Sequence, residues 1–156
     1  MPTTYTWSKV GERKVINYEA PKKRRVNAVG AYSGDDFQYH VENGKLTAEV
    51  FVDFLETLLP KPGEPPAVVV LDNYAVHKAK RIQPRLAELR ARGLFLFFLP
   101  PYSPELNLIE PCWRHVKHHH MPTRLFQTQQ ALHDGVEGSL SSYQDSIRRS
   151  VRQRTA

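Results

Sequence analysis

The chain has 156 residues, 40% of them hydrophobic and 24% charged. That is the balance of one globular domain with its own core, and it excludes a disordered tract or a string of modules. A formal charge of +6 and a pI near 9.5 point to a polyanionic partner, nucleic acid first, with an ordinary basic surface as an equal reading on charge alone.

No apolar run is long enough to cross a bilayer, so no membrane role is expected. Nothing from Met1 to Tyr5 resembles a secretory signal, and the cytoplasm is the expected compartment. The single cysteine, Cys112, excludes an internal disulfide and reads as a small core residue. In chain order, residues 5–16 read as a hairpin or an extended arm around the turn at Val10-Gly11-Glu12. The basic cluster Lys22-Lys23-Arg24-Arg25 then leads into two antiparallel strands, Val26–Tyr32 and Phe37–Val41, joined by a turn at Ser33-Gly34-Asp35-Asp36. Thr47 is a natural cap for a helix through Leu59, in which Val50, Phe51, Phe54, Leu55 and Leu58 recur at the helical period.

The linker Pro60 to Pro66 ends that helix and delivers Ala67–Leu71, a continuous apolar run expected as a strand buried on both faces. Val76 to Arg92 reads as helix interrupted near Pro84 and stopped by Gly93. A second buried strand, Leu94–Leu99, follows, then a helix from about Pro104 to His118 with an apolar stripe of Ile109, Cys112, Trp113 and Val116. From Thr123 a further helix is expected, with residues 141–156 as a polar, basic tail. Strands, helix, strand, helix, strand, helix make an α/β fold with one mixed sheet and flanking helices, in a single domain.

Ligand sites in open α/β sheets lie beyond the carboxyl ends of strands, where Asp72 and Asn73 fall. Asp72 has two readings, a metal ligand or a cap on the next helix. Glu110 shares a polar helical stripe with Asn107, Arg114 and Lys117. That stripe reads either as a solvated face with a Glu110–Arg114 ion pair, or as a metal-binding carboxylate flanked by phosphate-binding cations. The run His118-His119-His120 reads as a solvated helix end rather than a metal site, because consecutive helical residues point in different directions. The arginines of the tail, Arg148, Arg149, Arg152 and Arg154, are candidate DNA contacts on a basic terminus.

Two longer motifs alter this balance. The segment Leu71-Asp72-Asn73-Tyr74-Ala75-Val76-His77, followed by Pro101-Tyr102-Ser103-Pro104-Glu105-Leu106-Asn107-Leu108-Ile109-Glu110-Pro111-Cys112-Trp113, closely resembles the DDE transposases of the mariner-like superfamily, particularly those of bacterial insertion sequences. Similarity runs over roughly residues 5 to 120. The resemblance implies a ribonuclease-H-like fold, a magnesium cofactor with manganese as a substitute, and DNA, both transposon ends and target, as partner. It leaves a homodimer open and places the protein with the bacterial nucleoid. By the same resemblance Asp72 and Glu110, 38 positions apart, are the second and third of three catalytic metal-binding carboxylates. Asn73, His77 and Asn107 support the site, and Lys22, Lys23, Arg24, Arg25, Arg114 and Lys117 meet DNA. The family's first aspartate lies on a strand upstream of the segment like Thr6-Trp7, so this chain is expected to lack it. It is also expected to lack the family's helix-turn-helix region. Asp35, Asp36 and Asp53 are not positional substitutes.

Overall fold

The computed structural model describes residues 9–12, 24–101, 103–122 and 126–155. The arm expected over residues 5–16 lies mostly outside them, but its turn is present: Gly11 has φ +91° and the Glu12 N–H donates to the Lys9 carbonyl at 3.0 Å. Strands β1 (Val26–Tyr32) and β2 (Phe37–Asn43) form the expected antiparallel hairpin, with Val26 opposite Asn43 and Tyr32 opposite Phe37. β2 runs two residues further than the sequence suggests. The turn closes through Gly34 at φ +89° and a bond from the Ser33 N–H to the Asp36 carbonyl at 3.1 Å.

Helix α1 (Ala48–Thr57) begins at the cap the sequence predicts, the Val50 N–H donating to Thr47 Oγ1 at 3.3 Å. It stops short of Leu59. Its buried face holds Phe51, Phe54 and Leu55 as expected, and also Val52, which a three-four spacing passes over. Arg85 of α2 (Gln83–Ala91) clamps α1 from outside through Asp53 at 2.7 Å and Glu56 at 2.6 Å.

The helix expected over Val76–Arg92 is instead two short 3-10 turns, Ala75–Lys78 and Lys80–Ile82, followed by α2. Pro84 accounts for this: it lacks an N–H and fits only in a first helical turn, so α2 starts there rather than running through. Gly93 ends α2 as predicted, at φ +92°. The helix expected over Pro104–His118 is likewise divided into a 3-10 turn at Pro104–Leu106, α3 (Ile109–His115) and one π-helical turn, Val116–His120. Pro111 confines the start of α3 in the same way. Residues 141–155 are not a tail but the second half of α4 (Gln129–Thr155). Val136, Leu140, Tyr143 and Ile147 recur at spacings of four and three, and hold α4 on the second core.

Strands β3 (Ala67–Leu71) and β4 (Leu94–Phe98) pair in parallel, Ala67 with Leu94 and Leu71 with Phe98. Two expectations need correction here. β3 is buried on one face only: Ala67, Val69 and Leu71 pack on the core while Val68 is 62% and Val70 49% exposed. α1 and α2 cover one side, and no described element covers the other. The single mixed sheet is, in the described residues, two separate two-stranded sheets, because β1 and β3 do not pair.

Two cores result. One joins α1, α2, β3 and β4, with Val29 of β1 packed against it. The other joins Phe37 and Val41 of β2 to Cys112, Val116 and Leu140. β1 therefore contributes to both, odd residues such as Val29 to the first and even residues such as Ala28 to the second. The chain is mixed α/β in two small sheets with flanking helices, an arrangement compatible with a ribonuclease-H-like domain.

Candidate active site

Asp72 stands one residue beyond β3, where pairing holds the chain end firmly. The Leu99 N–H donates to the Leu71 carbonyl at 2.9 Å, and the Asn73 side-chain amide donates to the Leu99 carbonyl at 2.5 Å. Asn73 Oδ1 in turn accepts from Lys78 Nζ. Asn73 thus stitches β3 to the end of β4, a positioning role that keeps Asp72 at a fixed height. Asp72 Oδ1 accepts from the Tyr74 N–H at 3.0 Å, the turn geometry typical of an aspartate. No side chain caps the 3-10 turn that follows, so this bond is a local turn and not the helix cap of the sequence reading. The Asp72 carboxylate remains 56% exposed and has further lone pairs to offer.

His77 lies under this carboxylate. Its Nδ1 is 3.2 Å from Asp72 Oδ1 and 3.3 Å from the Asp72 carbonyl oxygen, and its ring lies against Phe51 of α1 at 4.3 Å. Burial pushes the imidazole below its ordinary pKa, and the hydrogen bonds and charge of Asp72 oppose that shift without cancelling it. That shift favours the neutral ring. With Nδ1 facing two oxygen acceptors, its one proton belongs on Nδ1, so His77 donates to Asp72 and cannot also accept there.

Glu110 is the second residue of α3, exposed, with its N–H bonded to the Asn107 carbonyl at 3.0 Å. Trp113, one turn later, fixes the helix against β1. A Cβ added at Gly30 would stand 2.8 Å from Trp113 Cη2, so only glycine lets the indole approach this closely. The indole also meets Phe37 edge to face at 5.7 Å. As a result Asp72, His77, Asn107 and Glu110 line one cavity of about 640 Å³, with Arg25 and Lys45 also on its wall.

The other predicted residues are dispersed. Arg114 and Lys117 are exposed on α3 and the π-helical turn, and among the described residues no ion pair joins Glu110 to Arg114. Arg24 directs its guanidinium to the Phe126 carbonyl at 2.5 Å, which ties the segment before β1 to the segment before α4 and leaves it partly buried. Lys22 and Lys23 lie outside the described residues. Arg148 and Arg154 pair with Asp36 and Asp35 across the hairpin turn. Cys112 is buried, its thiol pushed above the ordinary range by that burial, which fits a core role. Lys45 escaped the sequence reading, since a lone lysine in a loop carries no periodic signal.

Hard oxygen donors such as Asp72, Glu110 and Asn107 suit magnesium in kind. They fall short in number: among the described residues no group of three or more histidine, cysteine, aspartate or glutamate side chains is disposed to hold a metal ion. A metal pair needs more ligands than two carboxylates provide, so these residues alone do not support a catalytic step.

An α/β scaffold with a carboxylate-lined cavity past the end of a parallel strand defines a class, that of proteins whose acidic residues work at the carboxyl ends of strands. Residues 1–133 match the DDE superfamily endonuclease family, and the chain belongs to it. No curated protein and no solved structure matches the chain.

Proposed function

We propose that this chain is the catalytic core of a DNA transposase of the mariner-like, bacterial insertion-sequence type, serving metal-dependent cleavage and strand transfer of DNA. The observation that carries this reading is that Asp72 and Glu110, which belong to separate motifs, line the same cavity. The chemistry is in-line displacement at phosphorus by water or a 3′-hydroxyl. In this reading Asp72 and Glu110 are metal ligands for magnesium, with manganese able to substitute. His77 holds the Asp72 carboxylate through its Nδ1 proton, and Asn73 and Asn107 fix the two ligand segments. Lys22, Lys23, Arg24, Arg25, Arg114 and Lys117 meet DNA phosphates, Arg24 with the donors that Phe126 leaves over.

The described residues supply two of the three carboxylates this chemistry uses, and that favours a second reading: a DNA-binding or dimerisation piece without catalysis of its own. One experiment separates the two. Supercoiled DNA and magnesium are incubated with the chain, with the chain extended upstream by a strand bearing one aspartate, and with the extended chain carrying Asp72→Asn. Metal-dependent nicking by the second preparation only is the expected result. Nicking by the chain alone would show that a further residue completes the site. Absence of nicking in all three, with magnesium binding untouched by Asp72→Asn, would sink the catalytic reading.

A further inference from the structure

The run His118-His119-His120 reads as a solvated helix end because consecutive residues point apart, but that reading leaves out His115, one turn earlier. The backbone between them is the π-helical turn Val116–His120, in which the Met121 N–H donates to the Val116 carbonyl at 2.9 Å. An α-helix, at about 3.6 residues per turn, returns the fourth residue to the face of the first. A π turn closes on the fifth, so the fourth and the fifth both come back beside the first. For His115 these are His119 and His120, whose ring centres lie 4.5 Å and 5.4 Å from its own. His118 meets none of these rings among the described residues.

Helix α4 holds the group in place from behind. The Tyr143 ring lies 5.3 Å from that of His115 and 5.7 Å from that of His120, and it packs edge to face on Phe37 of the second core at 5.1 Å. His120 Nδ1 is 3.1 Å from Ser142 Oγ, and the buried Ser139 places its Oγ 3.1 Å from the His120 carbonyl oxygen. His115 and His119 are exposed, so an ion in solvent reaches them directly.

We infer that His115 and His119 form a clamp for one late transition-metal ion, of the zinc, nickel or copper(II) class, with water completing its coordination. Imidazole nitrogen suits these ions, whereas magnesium prefers oxygen. With metal–nitrogen bonds near 2.0–2.1 Å, two rings at neighbouring positions on one ion have centres about 4.5–5.2 Å apart, and the His115–His119 separation of 4.5 Å falls in that range. A spacing of four on one helical face is also that by which paired histidines take zinc in helical metalloprotease sites. No three donors converge here, so the protein supplies two ligands and the site stays open. His120 stands aside, its Nδ1 engaged with Ser142. Burial, then the charges of His115 and His119, lower its pKa, which favours an uncharged ring beside the ion.

His115 is the last residue of α3 and His119 belongs to the π turn, so a bound ion pins the end of the helix that carries Glu110. The donors are nitrogens, not the oxygens of Asp72 and Glu110. This site therefore stands or falls independently of the catalytic reading, and its test involves no DNA.

The test uses the whole chain without a histidine tag, and zinc chloride as the probe. Titration calorimetry at neutral pH should resolve a zinc site that His115→Ala and His119→Ala each weaken at least about tenfold, because a single imidazole loses the gain of two linked ligands. His118→Ala should leave it unchanged, and a large excess of magnesium should not displace the ion. Zinc should also raise the thermal midpoint of the chain but not that of His119→Ala, an exposed position where the fold has little to lose. Absence of zinc binding, or a zinc site indifferent to both His115→Ala and His119→Ala, would overturn the clamp. Displacement by magnesium would place the ion on carboxylates and overturn it too. An equal loss in His118→Ala would do the same, since binding would then belong to a diffuse histidine surface.

Discussion

At the scale of single residues, the site depends on neighbours that carry no charge. Gly30 is the sharpest case. Alanine there would bring its Cβ within 2.8 Å of the Trp113 ring and 3.1 Å of the Gln38 carbonyl oxygen, a backbone atom that does not yield easily. We expect Gly30→Ala to cost about 1–3 kcal/mol, the usual range for forcing a methyl into a packed contact. Urea denaturation of the variant checks this, and Trp113→Phe in the same chain should recover part of the loss. Full stability in Gly30→Ala would show that α3 is not seated on β1 as described. His77 and Asn73 are of the same kind: His77 hydrogen-bonds to Asp72 and Asn73 to the Leu99 carbonyl, and each holds Asp72 or its strand rather than reaching for substrate. The sequence named both residues, but their partners, Phe51 and Leu99, lie 26 positions away from each. Spacing along the chain has no access to such pairs.

At the scale of elements, the junction of α3, the π-helical turn and α4 collects imidazoles. The His115 ring lies 4.5 Å from that of His119 and 5.4 Å from that of His120, and both His115 and His120 meet Tyr143 of α4. Burial, then the charges of His115 and His119, lower the His120 pKa from its ordinary 6.5. Lowering means that the unfolded chain binds the proton more tightly than the folded one. Stability from this group is therefore whole above pH 6.5 and is lost as pH falls below it. Thermal unfolding followed from about pH 7 to about pH 5, across the ordinary histidine range, should show a decline that His120→Gln lessens. An equal decline in both chains would show that the junction does not govern the acid response. In the other core, α1 contributes Leu55 at 1% exposure, and Leu55→Ala should cost about 2–5 kcal/mol by denaturant midpoint. The outer clamp of Arg85 on Asp53 and Glu56 is solvated, and Arg85→Ala should leave the denaturant midpoint nearly unchanged.

At the scale of the whole molecule, charge and surface set the expected behaviour with DNA. A net charge of +6 with Arg25, Arg114 and Lys117 exposed suits contact with phosphates, which position a protein without reading sequence. We expect binding to unrelated duplexes with similar affinity, falling steeply as salt rises, and a shallower salt slope in Arg114→Ala with Lys117→Ala. Titrations at two salt concentrations check this. Binding that ignores salt, or none at low salt, would count against a phosphate-contacting surface. No helix among the described residues is long and apolar enough to cross a membrane.

Elements with local causes were legible in the sequence. The β1–β2 hairpin follows from its turn residues, the start of α1 from Thr47, the end of α2 from Gly93, and the α/β class from the order of apolar runs. The sequence also carried the motifs that contain Asp72 and Glu110, and hence the family. What remained was settled by contacts between distant segments. Pro84 and Pro111 look like minor interruptions in a periodic pattern, yet they divide two helices, because a missing N–H matters only once the backbone bonds are counted. The apolar run of β3 looks buried on both faces, and one face is open, since an apolar side chain does not state whether a neighbour exists to cover it. That β1 and β3 lie over one helix without pairing was likewise invisible in the sequence. Strand pairing joins residues far apart along the chain, and the apolar pattern of a strand is the same whether its edge is filled or open.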